Sequence, residues 1–381
     1  MSMDFILDDE HKQIWKMVNS FAQNEIAPKA EEIDHEGKFP TEIIEQMGEL
    51  GLFGLPFDEK YGGASAGYLS YAIAVEEVSR ACASTGITYA AHCSIGSGPI
   101  NLFGTEEQKQ KWLKPCAEGN TLAAFGLTEP DAGSDAGGTR TTAVLDGDEW
   151  VINGNKCFIT NASKASVAVV TAMTDKSKGT KGISSFIVPT DTPGFQVSEP
   201  YEKMGLKGSD TAELIMEDVR IPKENILGNE GEGFKQFLKA LDGGRISIAA
   251  LSVGIAQACL DETVRYANER VQFGKPIAKF QSIQNKIADM ATQVELSRLA
   301  TYRAAWLKDN GYPFTKEASM AKLYASETSV RAALDAIQIH GGYGYMKEYP
   351  VERYLRDAKL MEIGEGTSEV QRLVIARQLG C

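Results

Sequence analysis

Four stretches of the chain carry residue types suited to binding a cofactor or substrate. They are residues 125–135, residues 158–161, residues 270–281, and residues 338–344 together with 363–371. The first leaves a predicted strand and enters a loop of Gly, Asp and Ser, which offers N–H groups and hydroxyls to an anion or a heterocycle. In the last, Glu365 lies between two glycines, just before a predicted helix capped by Thr367 or Ser368. Such glycines let a ligand approach the backbone closely.

The motifs of several common enzyme classes are absent from the sequence. It has no GxxxxGK[ST] phosphate loop, no HExxH metal-binding helix and no GxSxG nucleophile turn. The nearest approach to a GxGxxG dinucleotide motif is Gly231-Glu232-Gly233, which has Gln236 in place of the third glycine. None of the four histidines pairs with another at ligand spacing, so we expect no metal. A nucleotide cofactor, if one is bound, must therefore be held by a fold outside these motifs.

The first 120 residues or so are predicted to be helical. Apolar residues repeat at helical spacing before Pro28, directly after Pro40, and between residues 68 and 80. Thr105 and Gln108 have the spacing of a capping box, which predicts another helix start.

Between residues 122 and 222 the pattern changes to short β-rich runs broken by turn residues. Asn153-Gly154 predicts a type I′ hairpin turn between two strands, and Asp146-Gly147 predicts a similar turn. Helical periodicity returns after Gly228 and predicts helices at 234–270, 282–310, 314–339 and 367–379. The sequence therefore predicts a helical region, then a small β domain, then a region of longer helices.

Composition narrows the class of protein. The 381 residues are 43% hydrophobic and carry a net charge of −13, which argues against nucleic acid or an anionic membrane as the main partner. No run reaches the ~18 apolar residues of a membrane span, and the N-terminus lacks signal-peptide features. Six scattered cysteines without a CxxC pair predict reduced, buried thiols. We expect a cytoplasmic protein, or a mitochondrial matrix protein in a mature eukaryotic form.

Taken together and in this order, the four stretches resemble the acyl-CoA dehydrogenase family of flavoproteins. The likeness covers nearly the whole chain, including residues 57–63 and 206–211. The resemblance implies a multidomain α+β fold with an N-terminal α-helical domain (1–120), a middle β-barrel domain (121–228) and a C-terminal four-helix bundle (229–381). It also implies a homotetramer, built as a dimer of dimers, with one FAD per subunit.

The resemblance implies oxidation of the Cα–Cβ bond of an acyl-CoA to the trans-2-enoyl-CoA, with electrons passed to an electron-transfer flavoprotein. Glu365 matches the base that takes the α-proton, while flavin N5 accepts the hydride from Cβ. Gly244 occupies the base position of a few other members and cannot act as a base. The thioester oxygen would accept hydrogen bonds from the Glu365 N–H and a flavin ribityl hydroxyl. Burial should raise the pKa of the Glu365 carboxyl.

Two sets of binding residues also follow from the resemblance. Those assigned to FAD are Phe125, Leu127, Thr128, Ser134, Phe158, Ile159, Thr160, Arg270, Phe273, Gln281, Gln338, Gly341, Gly342, Thr367 and Glu369, the last five reaching FAD from a neighbouring subunit. Those assigned to the substrate are Ser134, Asp242, Arg245, Gly364 and Gly366. Simpler interpretations stay open: β-core packing for Phe125 and Phe158, and a salt bridge for Asp242 with Arg245. His340 is expected to pack or to form a hydrogen bond rather than to catalyse.

The substrate is less defined than the reaction. Short-chain members often carry a tyrosine immediately before the catalytic glutamate, where this chain has Gly364, and members that take branched chains show a similar glycine. Loss of the ring should widen the acyl pocket, which favours a short or branched-short acyl group. A cyclic or dicarboxylic acyl-CoA stays open. So do a flavin oxidase or monooxygenase of the same fold and a non-catalytic acyl-CoA or flavin-binding protein, although retention of Glu365 counts against the last.

Overall fold

The computed structural model describes residues 7–381, so the expectation about the first five residues lies outside the described part. The N-terminal region is helical, as predicted. Its α-helices are α1 (Asp9–Phe21), α2 (Ala30–Glu36), α3 (Thr41–Glu49), α4 (Gly67–Ala81), α5 (Ala83–Ala91), α6 (Gly98–Phe103), α7 (Glu106–Gln108) and α8 (Lys114–Ala117).

Side-chain caps begin two helices in this region, and the one at Thr105 confirms a predicted helix start. The Asp8 side chain accepts a hydrogen bond from the His11 N–H at the start of α1. Thr105 and Gln108 form a reciprocal capping box at the start of α7. Both caps satisfy N–H groups that the first turn of a helix leaves without partners.

The middle region is an eight-stranded sheet. Its strands are β1 (Leu122–Gly126), β2 (Thr142–Asp146), β3 (Glu149–Thr160), β4 (Ala165–Met173), β5 (Ile183–Pro189), β6 (Phe195–Val197), β7 (Thr211–Pro222) and β8 (Ile226–Leu227). Their order is β6-β7-β3-β2-β4-β5-β8, and β1 pairs with β4 in parallel. The sheet therefore brings the ends of β1 and β3 into one part of the domain.

One predicted hairpin is confirmed and the other is wrong. β2 and β3 pair in antiparallel register down to Asp146 and Glu149, with Gly147 at a positive φ in the turn. Asn153-Gly154 does not turn the chain, because β3 runs through it and pairs with β7 on both sides. The pairing register shifts between Ile152 and Gly154, so this glycine accommodates a bulge.

The C-terminal region contains the four predicted helices and one more. After α9 (Gly233–Glu269) come a small hairpin of β9 (Val271–Gln272) and β10 (Lys275–Pro276), then α10 (Gln281–Asp309), α11 (Thr315–His340), α12 (Val351–Met361) and α13 (Ser368–Gln378). The sequence reasoning missed α12, whose apolar residues do recur at helical spacing. α9 is apolar enough to span a membrane by composition, but 89% of its most apolar window is buried inside the protein, as in a core helix.

The N-terminal and C-terminal helices are fastened together at the start of α4. The Asp309 carboxylate, at the end of α10, accepts hydrogen bonds from the N–H groups of Tyr68 and Leu69 at 2.6 and 2.8 Å. Tyr68 is buried there. This junction fixes one wall of the region in which Glu365 lies.

The cysteines are free thiols, and Cys381 departs from the expectation. Five of the six are buried, whereas Cys381 is exposed. It lies at the end of the chain, beyond the last turn of α13, where no neighbouring element covers it.

Candidate active site

Glu365 lies in the short connection between α12 and α13. Thr367 is the N-cap of α13 and accepts a hydrogen bond from the Val370 N–H at 3.3 Å, as the sequence predicted. Glu365 has a φ of +53° and Gly366 a φ of +93°. A left-handed backbone is costly for a residue with a side chain, so the surroundings must hold it there.

The Glu365 carboxyl group is seated against a glycine of α9. A Cβ added to Gly244 would lie 2.8 Å from Glu365 Cδ and closer still to its Oε2 atom. Glu365 Oε2 is buried and has no hydrogen-bond partner among the described residues. A buried carboxyl oxygen without a partner is unusual in a folded protein and marks a site for a reacting group.

The surroundings favour the protonated form of this carboxyl group at mildly acidic pH. Burial raises the pKa of Glu365 to about 7, although the positive charges of Lys322 and Arg245 oppose the rise. A general base works best when its pKa lies near the operating pH. Glu365 can therefore accept a proton at neutral pH.

Asp242 and Arg245 form an ion pair beside this seat. Arg245 Nη1 lies 2.6 Å from Asp242 Oδ1, and Asp242 also accepts a hydrogen bond from the Thr315 hydroxyl at 2.6 Å. Arg245 is buried, and its Nε has no partner among the described residues. The salt bridge is therefore present, and an N–H group is still free to bind a ligand.

Three residues around Glu365 escaped the sequence reasoning. Lys322 is fully buried and donates to the Gly366 carbonyl oxygen at 2.8 Å. Tyr68 and Lys308 lie beside Gly243, which precedes Gly244 on α9. A Cβ on Gly243 would lie 2.8 Å from the Tyr68 hydroxyl and 2.9 Å from Lys308 Nζ. A lysine in a helix usually lies on a solvent-exposed face, so nothing in the sequence indicated that Lys322 and Lys308 would lie at this site.

A second group of predicted residues comes together at the ends of β1 and β3. The Cys157 N–H donates to the Thr128 carbonyl oxygen at 2.8 Å, which places residues 125–128 beside 158–160. Phe125 and Ile159 are buried, whereas Leu127, Thr128 and Thr160 are half-buried.

Phe158 differs from its neighbours in this group. It has a φ of +60°, and its side chain is 67% exposed. Its ring lies 5.4 Å from that of Tyr201. An exposed aromatic ring on a strained backbone is typical of a ligand-binding surface.

A buried ion pair fixes the loop that follows β1. Lys156 Nζ donates to the Leu127 carbonyl oxygen at 3.1 Å and to Glu129 Oε1 at 2.7 Å. Glu129 also accepts hydrogen bonds from the Thr139 hydroxyl and the N–H groups of Arg140 and Thr141. Ser134, at the far side of this loop, is exposed.

A third group lies around the β9–β10 hairpin. Phe273 has a φ of +53° and is 92% exposed, and Gln281 is exposed at the start of α10. The Arg270 guanidinium lies 5.4 Å from the centre of the Tyr343 ring and forms no salt bridge within residues 7–381. Arg270 and Phe273 are therefore free to contact another molecule.

The remaining predicted contacts lie near the ends of α11 and α13. Gln338 and Glu369 are exposed, and a Cβ added at Gly341 or Gly342 would meet nothing within 4 Å. Tyr343, next to these glycines, connects them to Arg270. In contrast, His340 is buried and stacks on Tyr266 at 4.1 Å, which confirms a packing role.

Within the described part of one chain, the group around Arg270 does not contact the group at the ends of β1 and β3. No hydrogen bond, ion pair or ring contact in the described part of the chain joins the Arg270 group to residues 125–128 or 158–160. Within residues 7–381 no three His, Cys, Asp or Glu side chains are placed to hold a metal ion.

Comparison with known proteins gives the family. The chain matches the acyl-CoA dehydrogenase N-terminal domain over residues 8–120, the middle domain over 124–219 and the C-terminal domain over 231–380. It is 62% identical to a probable acyl-CoA dehydrogenase of Bacillus subtilis, over 99% of this chain and all of that protein.

Solved structures agree with this match. Butyryl-CoA dehydrogenase from Megasphaera elsdenii superposes with a TM-score of 0.98 at 48% identity and full coverage of both chains. A chain from a structure described as an electron transferring flavoprotein of Acidaminococcus fermentans also gives a TM-score of 0.98, at 50% identity over 99% of each chain. The chain thus belongs to the acyl-CoA dehydrogenase family of oxidoreductases.

Proposed function

We propose that this protein oxidises a short or branched-short acyl-CoA to the trans-2-enoyl-CoA, with Glu365 as the base. One observation carries the proposal: the buried Glu365 Oε2 atom has no hydrogen-bond partner in the described part of the chain and is seated against Gly244. A carboxylate that only held the fold would be expected to have its oxygens paired. This one is free to take a proton from a ligand.

FAD is the cofactor of this family, and the predicted cofactor residues fit it. Phe158 and Phe273 present exposed aromatic rings, and the Arg270 fork suits two phosphate oxygens. Open space at Gly341 and Gly342 would let a ligand approach the backbone. When bound, FAD supplies a hydride acceptor at its N5 atom.

The residues of this chain would divide the remaining work. Glu365 would remove the proton from Cα, and its N–H would donate a hydrogen bond to the thioester oxygen as negative charge develops there. Thr128 and Thr160 would donate hydrogen bonds at the flavin edge, and Leu127 would pack on the ring. Ser134 and the free N–H of Arg245 would hold the CoA arm.

The acyl pocket should be wide beside the base. A Cβ at Gly364 would meet only Leu360, at 3.6 and 3.8 Å, so the space directly beside this glycine is open. Because glycine leaves that volume empty, a branch on the acyl chain can occupy it. The similarity to butyryl-CoA dehydrogenase supports a short chain.

We also propose an assembly and an electron acceptor. The exposed groups at Arg270 and Phe273 do not reach residues 125–160 of the same chain, which supports an FAD site shared between subunits of a homotetramer. An electron-transfer flavoprotein would accept the electrons, and the cytoplasm would be the compartment. The similarity to a chain in an electron transferring flavoprotein structure supports the acceptor.

The test is an anaerobic titration of the purified holoprotein with acyl-CoAs, followed by flavin absorbance. The panel is butyryl-, isobutyryl-, isovaleryl-, 2-methylbutyryl-, hexanoyl- and cyclohexanecarbonyl-CoA. Bleaching by one or two short or branched thioesters supports the proposal. A yellow protein that none of them bleaches would refute the substrate class, and rapid reoxidation by oxygen in place of electron-transfer flavoprotein would refute the acceptor.

A further inference from the structure

Lys322 is a fully buried lysine whose ammonium group donates a hydrogen bond to the backbone next to Glu365. It lies on α11 and donates to the Gly366 carbonyl oxygen at 2.8 Å. Within residues 7–381 it forms no salt bridge with a carboxylate. Burying a charge without an ionic partner is costly, so a function for this cation must be sought.

The carbonyl that Lys322 binds belongs to the strained turn of the base. Gln371 on α13 donates its Nε2 to the same Gly366 oxygen at 2.8 Å and approaches the Glu365 carbonyl oxygen at 3.3 Å. Two buried side chains from two helices therefore hold a turn in which Glu365 has a φ of +53°. Left-handed residues persist only where the surroundings fix them in this way.

Within residues 7–381, Lys322 is a cation of the site without a salt bridge, as is Lys308 beside Tyr68. The groups that interact electrostatically with Glu365 or Lys322 are Tyr68 from α4, Arg245 from α9, and Glu362 and Glu369 from either side of the Glu365 turn. Asp242 joins them through its ion pair with Arg245. Lys308 on α10 joins this set through Asp242 and through Tyr68, whose ring centre lies 3.0 Å from Lys308 Nζ.

Most of these charges already have partners. Arg245 is paired with Asp242, and Glu362 lies 2.5 Å from Lys359. Glu369 is exposed. Burial lowers the pKa of Lys322 to about 8, so its positive charge is present at neutral pH and stabilises the ionised form of Glu365.

We propose that Lys322 is a positioning residue for the reaction: it clamps the Glu365 turn through the Gly366 carbonyl, and its charge sets the pH range in which Glu365 accepts a proton. This inference rests on the proposed role of Glu365 as the base. It adds a division of labour, because Gln371 clamps the same carbonyl without a charge.

Three variants of the holoprotein separate the charge from the clamp. Lys322→Met removes both, Lys322→Arg keeps the charge, and Gln371→Leu removes only an uncharged donor. The readouts are the rate of anaerobic flavin reduction by the best acyl-CoA against pH, and the pH dependence of the melting temperature without substrate. The second readout reports the ionisation of Glu365 independently of turnover.

The proposal predicts different pH profiles for these variants. Lys322→Met should raise the midpoint of the rate profile by about one pH unit, because a nearby opposite charge favours the ionised carboxyl group. This shift alone should lower the rate at pH 7 about fivefold, a loss that recovers at alkaline pH, while the lost clamp should lower the plateau rate as in Gln371→Leu. Lys322→Arg should restore the native midpoint, whereas Gln371→Leu should lower the plateau rate about tenfold without moving it.

An unchanged midpoint in Lys322→Met, by rate and by melting temperature, overturns the proposal. If that variant does not fold, Lys322→Gln, which keeps an amide donor but no charge, gives the same comparison. Glu365→Gln separates this failure from that of the proposed function. If Glu365→Gln still reduces the flavin at the native rate, Glu365 is not the base, whatever the Lys322 variants do.

Discussion

Two glutamates, each with a buried lysine beside it, have opposite properties in this protein. Glu129, after β1, accepts hydrogen bonds from Lys156, Thr139 and two backbone N–H groups. Glu365, before α13, has a buried oxygen with no partner in the described part of the chain. Its lysine donates to a backbone carbonyl instead.

The pKa values follow from this difference. Burial alone would raise the pKa of Glu129, but its attraction to Lys156 and its hydrogen bonds bring it down to about 2. Burial raises the pKa of Glu365 to about 7, and within residues 7–381 no hydrogen-bond donor reaches its Oε2 atom to oppose the rise. At Glu129 the lysine donates to the carboxylate itself, which then holds a loop. At Glu365 the lysine donates to a neighbouring carbonyl oxygen, and the carboxyl group can exchange a proton.

The largest expected effect is on chemistry. Glu365→Gln should slow anaerobic flavin reduction by about 10²- to 10⁴-fold, the size of a general-base contribution, while the protein stays folded. Glu129→Gln should instead lower stability and FAD content, because it breaks the network that holds residues 125–134. The comparison fails if both variants lose activity with equal loss of FAD.

The second prediction concerns the two lysines. Lys156→Met should lower the free energy of unfolding by about 3–5 kcal/mol, because it leaves the Glu129 charge buried without its ionic partner. Lys322→Met should cost less, since it leaves only a carbonyl oxygen short of one donor while Gln371 still binds it. Chemical unfolding of both holoproteins measures the difference, and equal losses would contradict the account.

The pH dependence of stability should run in opposite directions at the two sites. The contribution of Glu129 is present above its unfolded pKa near 4.5 and is lost as pH falls through about 2. The contribution of Glu365 is present below pH 4.5 and is lost as pH rises through about 7. Between pH 4.5 and about 7, Glu365→Gln should therefore gain stability relative to the native protein, by at most about 3 kcal/mol.

Melting temperatures of the native protein and the Glu365→Gln variant across that range check this sign. A constant difference between them would show that Glu365 ionises alike in the folded and unfolded states. The central claim about its surroundings would then be wrong.

A smaller effect is expected from the seat of the base. Gly244→Ala places a Cβ against the Glu365 carboxyl group, which must move. Alanine suits a helix interior better than glycine, so α9 should not be weakened by its propensity. We expect flavin reduction to slow by about ten- to a hundredfold with little change in melting temperature. A native rate in this variant would show that the carboxyl group does not need that position.

The smallest effect should come from an exposed pair at the edge of the Glu129 network. Arg140 lies 2.6 Å from Asp131, and both side chains are largely exposed. Arg140→Gln keeps the N–H that Glu129 accepts and should change the free energy of unfolding by less than about 1 kcal/mol. A loss as large as that of Lys156→Met would mean that the surface pair supports the network.

The sequence predicted those parts of the fold that local chemistry decides. The capping box at Thr105 and the turn at Asp146-Gly147 are confirmed because their residues satisfy the backbone within a few positions. Asn153-Gly154 has an equally good turn composition, yet the pairing of β3 with β7 runs through it. Long-range strand pairing overrides a local turn preference.

The site divides in the same way. Glu365, Asp242 and Arg245 were found because the order of motifs resembled a family, and the structure brings them together around α9. Lys156 and Lys322 were missed, since nothing in a lysine's sequence context reveals that the fold will bury it. Helix α12 was missed although Val351, Leu355 and Ala358 lie on one face, a signal that a periodicity search would detect.

The most direct test of the account is the rate of anaerobic flavin reduction by the preferred acyl-CoA, measured on the native holoprotein from about pH 5 to about pH 9. The account predicts a rate that rises about tenfold per pH unit and levels off above a midpoint near 7, the pKa of the unpaired Glu365 carboxyl group. A midpoint near 4.5, the ordinary value for a glutamate, would contradict it, and so would a rate independent of pH.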